Sequence, residues 1–229
     1  MRRSTIITLV LAIAIGGLLA AWRSGSIPPR YDPLAPLDLS EPPNPVTAIK
    51  LWLMEDDSQA CMSVLRRAGV SLKEMPARNV TSNCTLDGTV MISRLWRASF
   101  NPEEMRCDIA LRLYLFERHD IQPLAQRHFG TAVNRINHYG SYSCRTIAGS
   151  SQMSEHATGN AIDISGFTLA DGKTVSLKRD WSAAGASSLF LRDLRSRACL
   201  LFNMVLSPDY NEAHADHFHV DMGWSMGCH

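Results

Sequence analysis

The chain has 229 residues, enough for one domain with a sizeable core plus an extension. Lys and Arg number 23 against 22 Asp and Glu, a formal net charge of +1, with basic residues massed nowhere. That balance gives nucleic-acid binding no electrostatic support.

Arg2 and Arg3 precede an apolar run from Ile6 to Trp22 that contains no charge. Its length suits a signal peptide or a membrane span. Basic residues before the run hold that end in the cytoplasm and place the remainder across the membrane. No clear Ala-x-Ala site follows the run. The expectation is therefore a signal anchor over residues 1–23, contacting the cytoplasmic membrane. The body then lies on the far side of that membrane, or is released there if the segment is cleaved. Residues 24–45 carry prolines at 28, 29, 33, 36, 42, 43 and 45 and read as an extended spacer.

A folded domain is predicted over 46–229. Asp57 to Arg67 reads as a helix, with Asp56 as its cap and Gly69 as its stop. Thr89 to Trp96 alternates as a strand. Pro102-Glu103-Glu104 reads as a helix start, acidic in its first turn, and Ile109, Leu113 and Phe116 continue the helical spacing. Pro123 restarts that helix, which runs to Phe129 before Gly130. Thr131 to His138 follows as a strand. Asp171-Gly172 marks a hairpin turn. Ser187 to Leu200 is predicted helical, and Phe202 to Leu206 a strand. These elements give an α+β domain whose helices cover a central antiparallel sheet. His229, the last residue given, is expected to be unstructured.

The six cysteines are Cys61, Cys84, Cys107, Cys144, Cys199 and Cys228. No two form a Cys-x-x-Cys pair, which argues against a thiolate zinc site or a thioredoxin-like motif. An even count in an exported chain suggests disulfides. The pairing expected is Cys61 with Cys84, Cys107 with Cys144, and Cys199 with Cys228.

Two short polar stretches carry the chemistry: residues 154–163, Ser-Glu-His-Ala-Thr-Gly-Asn-Ala-Ile-Asp, and residues 214–221, His-Ala-Asp-His-Phe-His-Val-Asp. In a strand over 161–165, Asp163 faces one way and Ile162 and Ile164 the other. Likewise His217, His219 and Asp221 share a face while Phe218 and Val220 point to a core. Neighbouring strands with facing polar sides bring Asp163 and His219 within reach of one ion, and Gly159 allows a turn that returns His156 to it. Histidine and aspartate are zinc ligands, and three of them leave a fourth position for water. The pKa of that water falls from about 15.7 towards 7, and a neutral imidazole can take its proton. Asp221 is placed to hydrogen-bond a ligand imidazole from behind. Glu155 suggests the base of a His-Glu-x-x-His protease, but position 160 is Asn where that motif needs His.

His156-x-x-Gly159-x-Ala161-x-Asp163 and His217-x-His219 resemble the superfamily of lysostaphin-type peptidases, D-alanyl-D-alanine peptidases and hedgehog N-terminal domains. The spacing of His214, His217 and His219 is similar to that of its penicillin-insensitive murein endopeptidases. From about Cys61 onward the chain resembles the bacterial extensin-like C-terminal domain family. That likeness rests on Gly140-Ser141-Tyr142-Ser143-Cys144-Arg145, the two histidine motifs, Asp209-Tyr210-Asn211 and Cys228.

The resemblance implies a hedgehog/D-Ala-D-Ala-peptidase-like fold and a zinc peptidase that cuts crosslinks or D-Ala-containing stem peptides of peptidoglycan. It implies His156, Asp163 and His219 as zinc ligands, His217 as general base, His214 as a second acid or substrate contact, and Arg145 on the substrate or oxyanion. Dipeptidases of the group carry a glutamate three positions before the last ligand, where this chain has Asp216. The base is therefore His217 or Asp216. The alternative function is a catalytically silent, zinc-containing module that binds cell wall or protein.

Overall fold

The computed structural model describes residues 3–229, so Arg2, one of the two basic residues before the apolar run, lies outside the described residues. The chain divides into two units, one ending at Lys50 and one covering Leu51–His229.

In the first unit, α1 (Arg3–Arg23) is one apolar helix. Its Thr5–Arg23 stretch is long and apolar enough to cross a membrane, and is compatible with an anchor or a signal sequence. The proline-rich stretch differs from a plain extended spacer. Pro29–Tyr31 forms a 3-10 turn. The Trp22 indole N–H donates to the Asp32 carboxylate at 3.1 Å, and the Lys50 ammonium donates to the Pro29 carbonyl at 2.8 Å. Proline fixes φ and favours turns, and these side chains close them. Helix α2 (Pro45–Leu53) follows.

The second unit begins its regular structure with α3 (Ser58–Arg67). Asp57, rather than the expected Asp56, caps it by accepting the Ala60 N–H at 2.9 Å. Gly69, at φ +84°, turns the chain out of the helix. Next come β1 (Leu72–Glu74), the small hairpin β2 (Arg78–Thr81) and β3 (Cys84–Leu86), and β4 (Thr89–Arg94).

Pro102-Glu103-Glu104 does not start a helix. It lies in β5 (Ser99–Arg106), where the register against β4 shifts between Ile92 and Arg94, so the proline's missing N–H interrupts no regular ladder. The two acids both have hydrogen-bond partners there. Glu104 accepts both Arg78 guanidinium nitrogens at 2.7 and 2.6 Å and the Thr89 hydroxyl at 2.6 Å. Glu103 accepts the Ser141 N–H at 2.8 Å. The helix starts only at Cys107. All of α4 (Cys107–Phe116) is buried, and it packs on α3, β4 and β5. A π turn over Glu117–Ile121 leads to α5 (Gln122–Phe129), with Pro123 in its first turn and Gly130 at φ +68° after it.

The remaining elements are β6 (Val133–Gly140), β7 (Ala161–Leu169), β8 (Thr174–Ser176), α6 (Leu177–Asp180), α7 (Ala186–Ala198), β9 (Met204–Leu206), β10 (Phe218–Asp221) and β11 (Gly227–Cys228). Asp171-Gly172 turns β7 into β8. The large sheet runs β1-β4-β5-β6-β7-β10-β9-β11, with β8 beside β7. It is mostly antiparallel; β5 with β6 and β9 with β11 are parallel. Ile162 and Ile164 of β7 are buried, and after a register shift against β6 the buried positions become Phe167 and Leu169. Phe167 meets Phe190 of α7 edge-on at 5.4 Å. That apolar face leaves the opposite side of β7, with Asp163, free for polar chemistry. His229 is ordered, contrary to expectation: its N–H donates to the Val205 carbonyl at 2.9 Å and its ring lies 5.1 Å from that of Tyr210.

Three disulfides form, and two differ from expectation: Cys61–Cys107, Cys84–Cys144 and Cys199–Cys228. Cys61 meets Cys107 because α3 packs on α4. Cys84 of β3 is thereby left for Cys144, and the bridge pins the loop after β6.

Candidate metal centre

Strands β7 and β10 are antiparallel neighbours in a register that sets His219 directly opposite Asp163. Residues opposed in this way present their side chains on the same face. Their apolar neighbours Ile162, Ile164, Phe218 and Val220 are buried on the other face, which holds the register against a one-residue slip.

His156 arrives from a single 3-10 turn, Glu155–Thr158. Ser154 caps the turn by accepting the His156 N–H at 3.4 Å, and Gly159 closes it at φ +66°. A side chain at 159 would be strained by that φ and would press on Leu86. Ala157 and His156 are both buried, and the His156 ring reaches the sheet at Asp163 and His219.

The three side chains converge. His156 Nε2 lies 3.1 Å from Asp163 Oδ1 and 3.1 Å from His219 Nδ1, and His219 Nδ1 lies 3.0 Å from Asp163 Oδ1. The far ring nitrogens decide the tautomers. His156 Nδ1 faces the Ser141 carbonyl at 2.7 Å, and a carbonyl only accepts, so Nδ1 carries the proton. His219 Nε2 faces an Asp221 carboxylate oxygen at 2.8 Å, so Nε2 carries the proton there. In the neutral rings both converging nitrogens therefore present lone pairs, beside a carboxylate oxygen. With both rings neutral, three acceptors crowd together, and the cluster calls for positive charge at its centre, from a metal ion or from a proton on His219.

The donor set fits zinc. Two imidazoles and a carboxylate are ordinary zinc ligands, and donors held at about 2.0–2.1 Å around a tetrahedral centre lie roughly 3.3 Å apart. The observed separations of 3.0–3.1 Å are close to that. Both imidazoles also have their outer N–H fixed by an oxygen, the arrangement that orients metal-binding histidines.

The electrostatics point the same way. Burial works against the Asp163 carboxylate, but the imidazoles of His156 and His219 outweigh it and hold the carboxyl well below the usual range. Burial likewise works against a charged His219, yet Asp163 and Asp221 raise it to about 9. The local field favours positive charge at the centre of the triangle.

The other residues singled out in the sequence sit on one flank. His217 Nε2 is 3.5 Å from Asp163 Oδ1, and His217 Nδ1 is 2.9 Å from Asp216 Oδ1. His217 is outside the group of donor atoms that all lie within 4.8 Å of one another, so it stands beside the triangle rather than in it. The ring of His214 is 5.3 Å from that of His217 and 5.9 Å from that of His219, and its Nδ1 meets Asn211 Oδ1 at 2.7 Å. Burial, then the nearby His217 and His219, push His214 down to about 4, so it is neutral at pH 7; exposed Arg145 adds to that push, which puts its charge near the site. Glu155 is engaged elsewhere, accepting the Asn160 amide at 2.7 Å.

Two participants have no counterpart in the sequence reading. Tyr139, at the end of β6, donates its hydroxyl to Asp216 at 3.3 Å and forms a T-shaped pair with His217, ring centroids 5.7 Å apart. Extending the predicted strand one residue past His138 would have drawn it in. The Ser141 carbonyl that orients His156 is backbone and leaves no side-chain signal.

Fold and geometry together define a mixed α/β domain, built on a large and mostly antiparallel sheet, that carries a candidate His-Asp-His metal centre. The model of the family described as "Extensin-like protein C-terminus" matches residues 59–229, three-quarters of the chain, and the protein belongs to that family. No curated protein and no solved structure matches it.

Proposed function

We propose that this protein is a zinc-dependent peptidase acting on the peptide part of peptidoglycan, on crosslinks or D-Ala-containing stems, outside the cytoplasmic membrane. In this reading the domain belongs with the hedgehog and D-Ala-D-Ala-peptidase folds, and α1 tethers it on the periplasmic side. The observation that carries it is the convergence of three lone-pair donors, from His156, Asp163 and His219, beside an imidazole that is not one of them.

Zinc held there would supply Lewis-acid polarisation of a carbonyl and a lowered pKa for water. The chain's own groups supply the rest. His217 stands against Asp163, placed to take a proton from water and return it to a leaving amine. His214, neutral at pH 7, can donate or accept a hydrogen bond to the peptide. Arg145 makes no ion pair among the described residues and keeps a fixed positive charge for a carboxylate or a developing oxyanion. The peptidoglycan substrate comes from the likeness of the histidine motifs to murein endopeptidases.

The test is incubation of the full chain, loaded with zinc, with purified crosslinked muropeptides. Dimers should shorten to monomers, and His217→Ala should keep its zinc while turnover collapses. Release of terminal D-Ala with dimers intact would replace endopeptidase by carboxypeptidase. Retention on wall sacculi with no product from either substrate would replace the enzyme by a binding module.

A further inference from the structure

The structure assigns Asp216 as a positioning residue rather than the base: tied to Tyr139, it holds His217 in the tautomer that turns a free Nε2 lone pair toward Asp163. Its catalytic consequence rests on the hydrolase reading above; its geometry does not.

Both oxygens of Asp216 are committed. Oδ1 lies 2.9 Å from His217 Nδ1, and Oδ2 accepts the Tyr139 hydroxyl at 3.3 Å. A carboxylate only accepts, so the proton of neutral His217 sits on Nδ1 and the lone pair on Nε2. That nitrogen is the one 3.5 Å from Asp163 Oδ1. Asp216 is not one of the converging donor atoms, and His217 stands between it and Asp163, with Nδ1 on Asp216 and Nε2 toward Asp163. Two further rings pack on the imidazole: Tyr139 in a T-shaped pair with ring centroids 5.7 Å apart, and His214 tilted at 45° with centroids 5.3 Å apart. Side-chain exposures of 11% for His217 and 35% for Asp216 place the imidazole inside and the carboxylate at the rim, the order a support and its client require. Tyr139 comes from β6, so the carboxylate is anchored to the sheet and not only to its own loop.

The arrangement is the logic by which a carboxylate orients a catalytic imidazole, where replacing the carboxylate by its amide costs up to about 10,000-fold in turnover through the wrong tautomer. Asp216→Asn keeps shape and volume, but an amide retaining the Tyr139 bond through its oxygen offers His217 a donor and favours the Nε2–H form.

Two measurements on the zinc-loaded full chain test this. The first is the nitrogen-15 spectrum of the histidine rings at about pH 8, which reads the tautomer and needs no turnover. His217 should carry its proton on Nδ1 in the wild type and on Nε2 in Asp216→Asn. A wild-type His217 protonated on Nε2, or a tautomer indifferent to the substitution, overturns the assignment whether or not the protein is a hydrolase. The second is kinetic, on crosslinked muropeptides. Asp216→Asn should lose about 100- to 10,000-fold in kcat with KM and zinc content unchanged, and Tyr139→Phe, which keeps the ring, less than about tenfold. In a His217→Ala background, Asp216→Asn should cost nothing more. A full further loss in that background would make Asp216 a base in its own right. Absence of turnover in the wild type would count against the proposed function alone, and the tautomer would still decide the role of Asp216.

Discussion

Asp221→Asn isolates the device that orients His219. In the wild type one Asp221 oxygen accepts the His219 Nε2–H at 2.8 Å and the other accepts the Gly223 N–H at 2.8 Å. Gly223 is backbone and keeps its claim on an acceptor, so the asparagine oxygen stays with it and the amide NH2 faces His219. Nε2 must then accept, the ring proton moves to Nδ1, and the lone pair aimed at the triangle is lost. The cost is one charge-assisted hydrogen bond, about 1.5–3 kcal/mol. That matches the 10- to 100-fold loss of affinity typical when the partner of a metal-binding histidine is removed. The assay is zinc affinity by competition with a chromogenic chelator, run at about pH 9.5. That lies above the value of about 9 to which His219 is raised, which reduces competition from the proton. Asp221→Ala, which removes the carboxylate without supplying a donor, should weaken zinc less than Asp221→Asn. If Asp221→Asn binds zinc within about twofold of the wild type, the tautomer argument fails.

Other consequences concern the support of the site and the fold. Breaking the Cys84–Cys144 bridge as the double serine variant opens a crosslink spanning 60 residues, worth about 4 kcal/mol in the chain-entropy description. Thermal unfolding should drop accordingly, and zinc affinity should fall with it, because the bridge pins the loop whose Ser141 carbonyl orients His156. Asp120 gives a pH signature. Burial raises its carboxyl from 3.8 to about 6 despite Arg197 nearby, so the folded protein keeps a proton that the unfolded chain loses first. The stabilisation is fully present below about 3.8 and gone above about 6, a swing of at most about 3 kcal/mol. Asp120→Asn should flatten the denaturant midpoint across that window and exceed the wild type at pH 7.5; a wild-type midpoint flat from pH 4 to 6.5 would contradict it.

Much of the geometry was legible in the sequence because strands alternate. Asp163 between Ile162 and Ile164, and His219 between Phe218 and Val220, can satisfy a core only by turning their polar groups to one common face. The Gly159 turn was legible because a left-handed residue is the cheap way to bring His156 back. Pro102-Glu103-Glu104 misled because its local pattern suits a helix start, while Arg78 and Thr89, distant in the chain, give Glu104 a better place in a strand. Two disulfides depart from the expected pairing for a related reason: the packing of α3 on α4 is a tertiary fact. Tyr139 and the Ser141 carbonyl act through hydrogen bonds whose partners lie far along the chain, which residue spacing does not register.

His156, Asp163 and His219 should together hold one cation. Elemental analysis of the purified full chain, dialysed against buffered zinc, tests it most directly. The wild type should carry about one zinc per chain, and His219→Ala almost none with its disulfides and fold intact. Wild-type protein that keeps no zinc, or His219→Ala protein that keeps as much as the wild type, would contradict it.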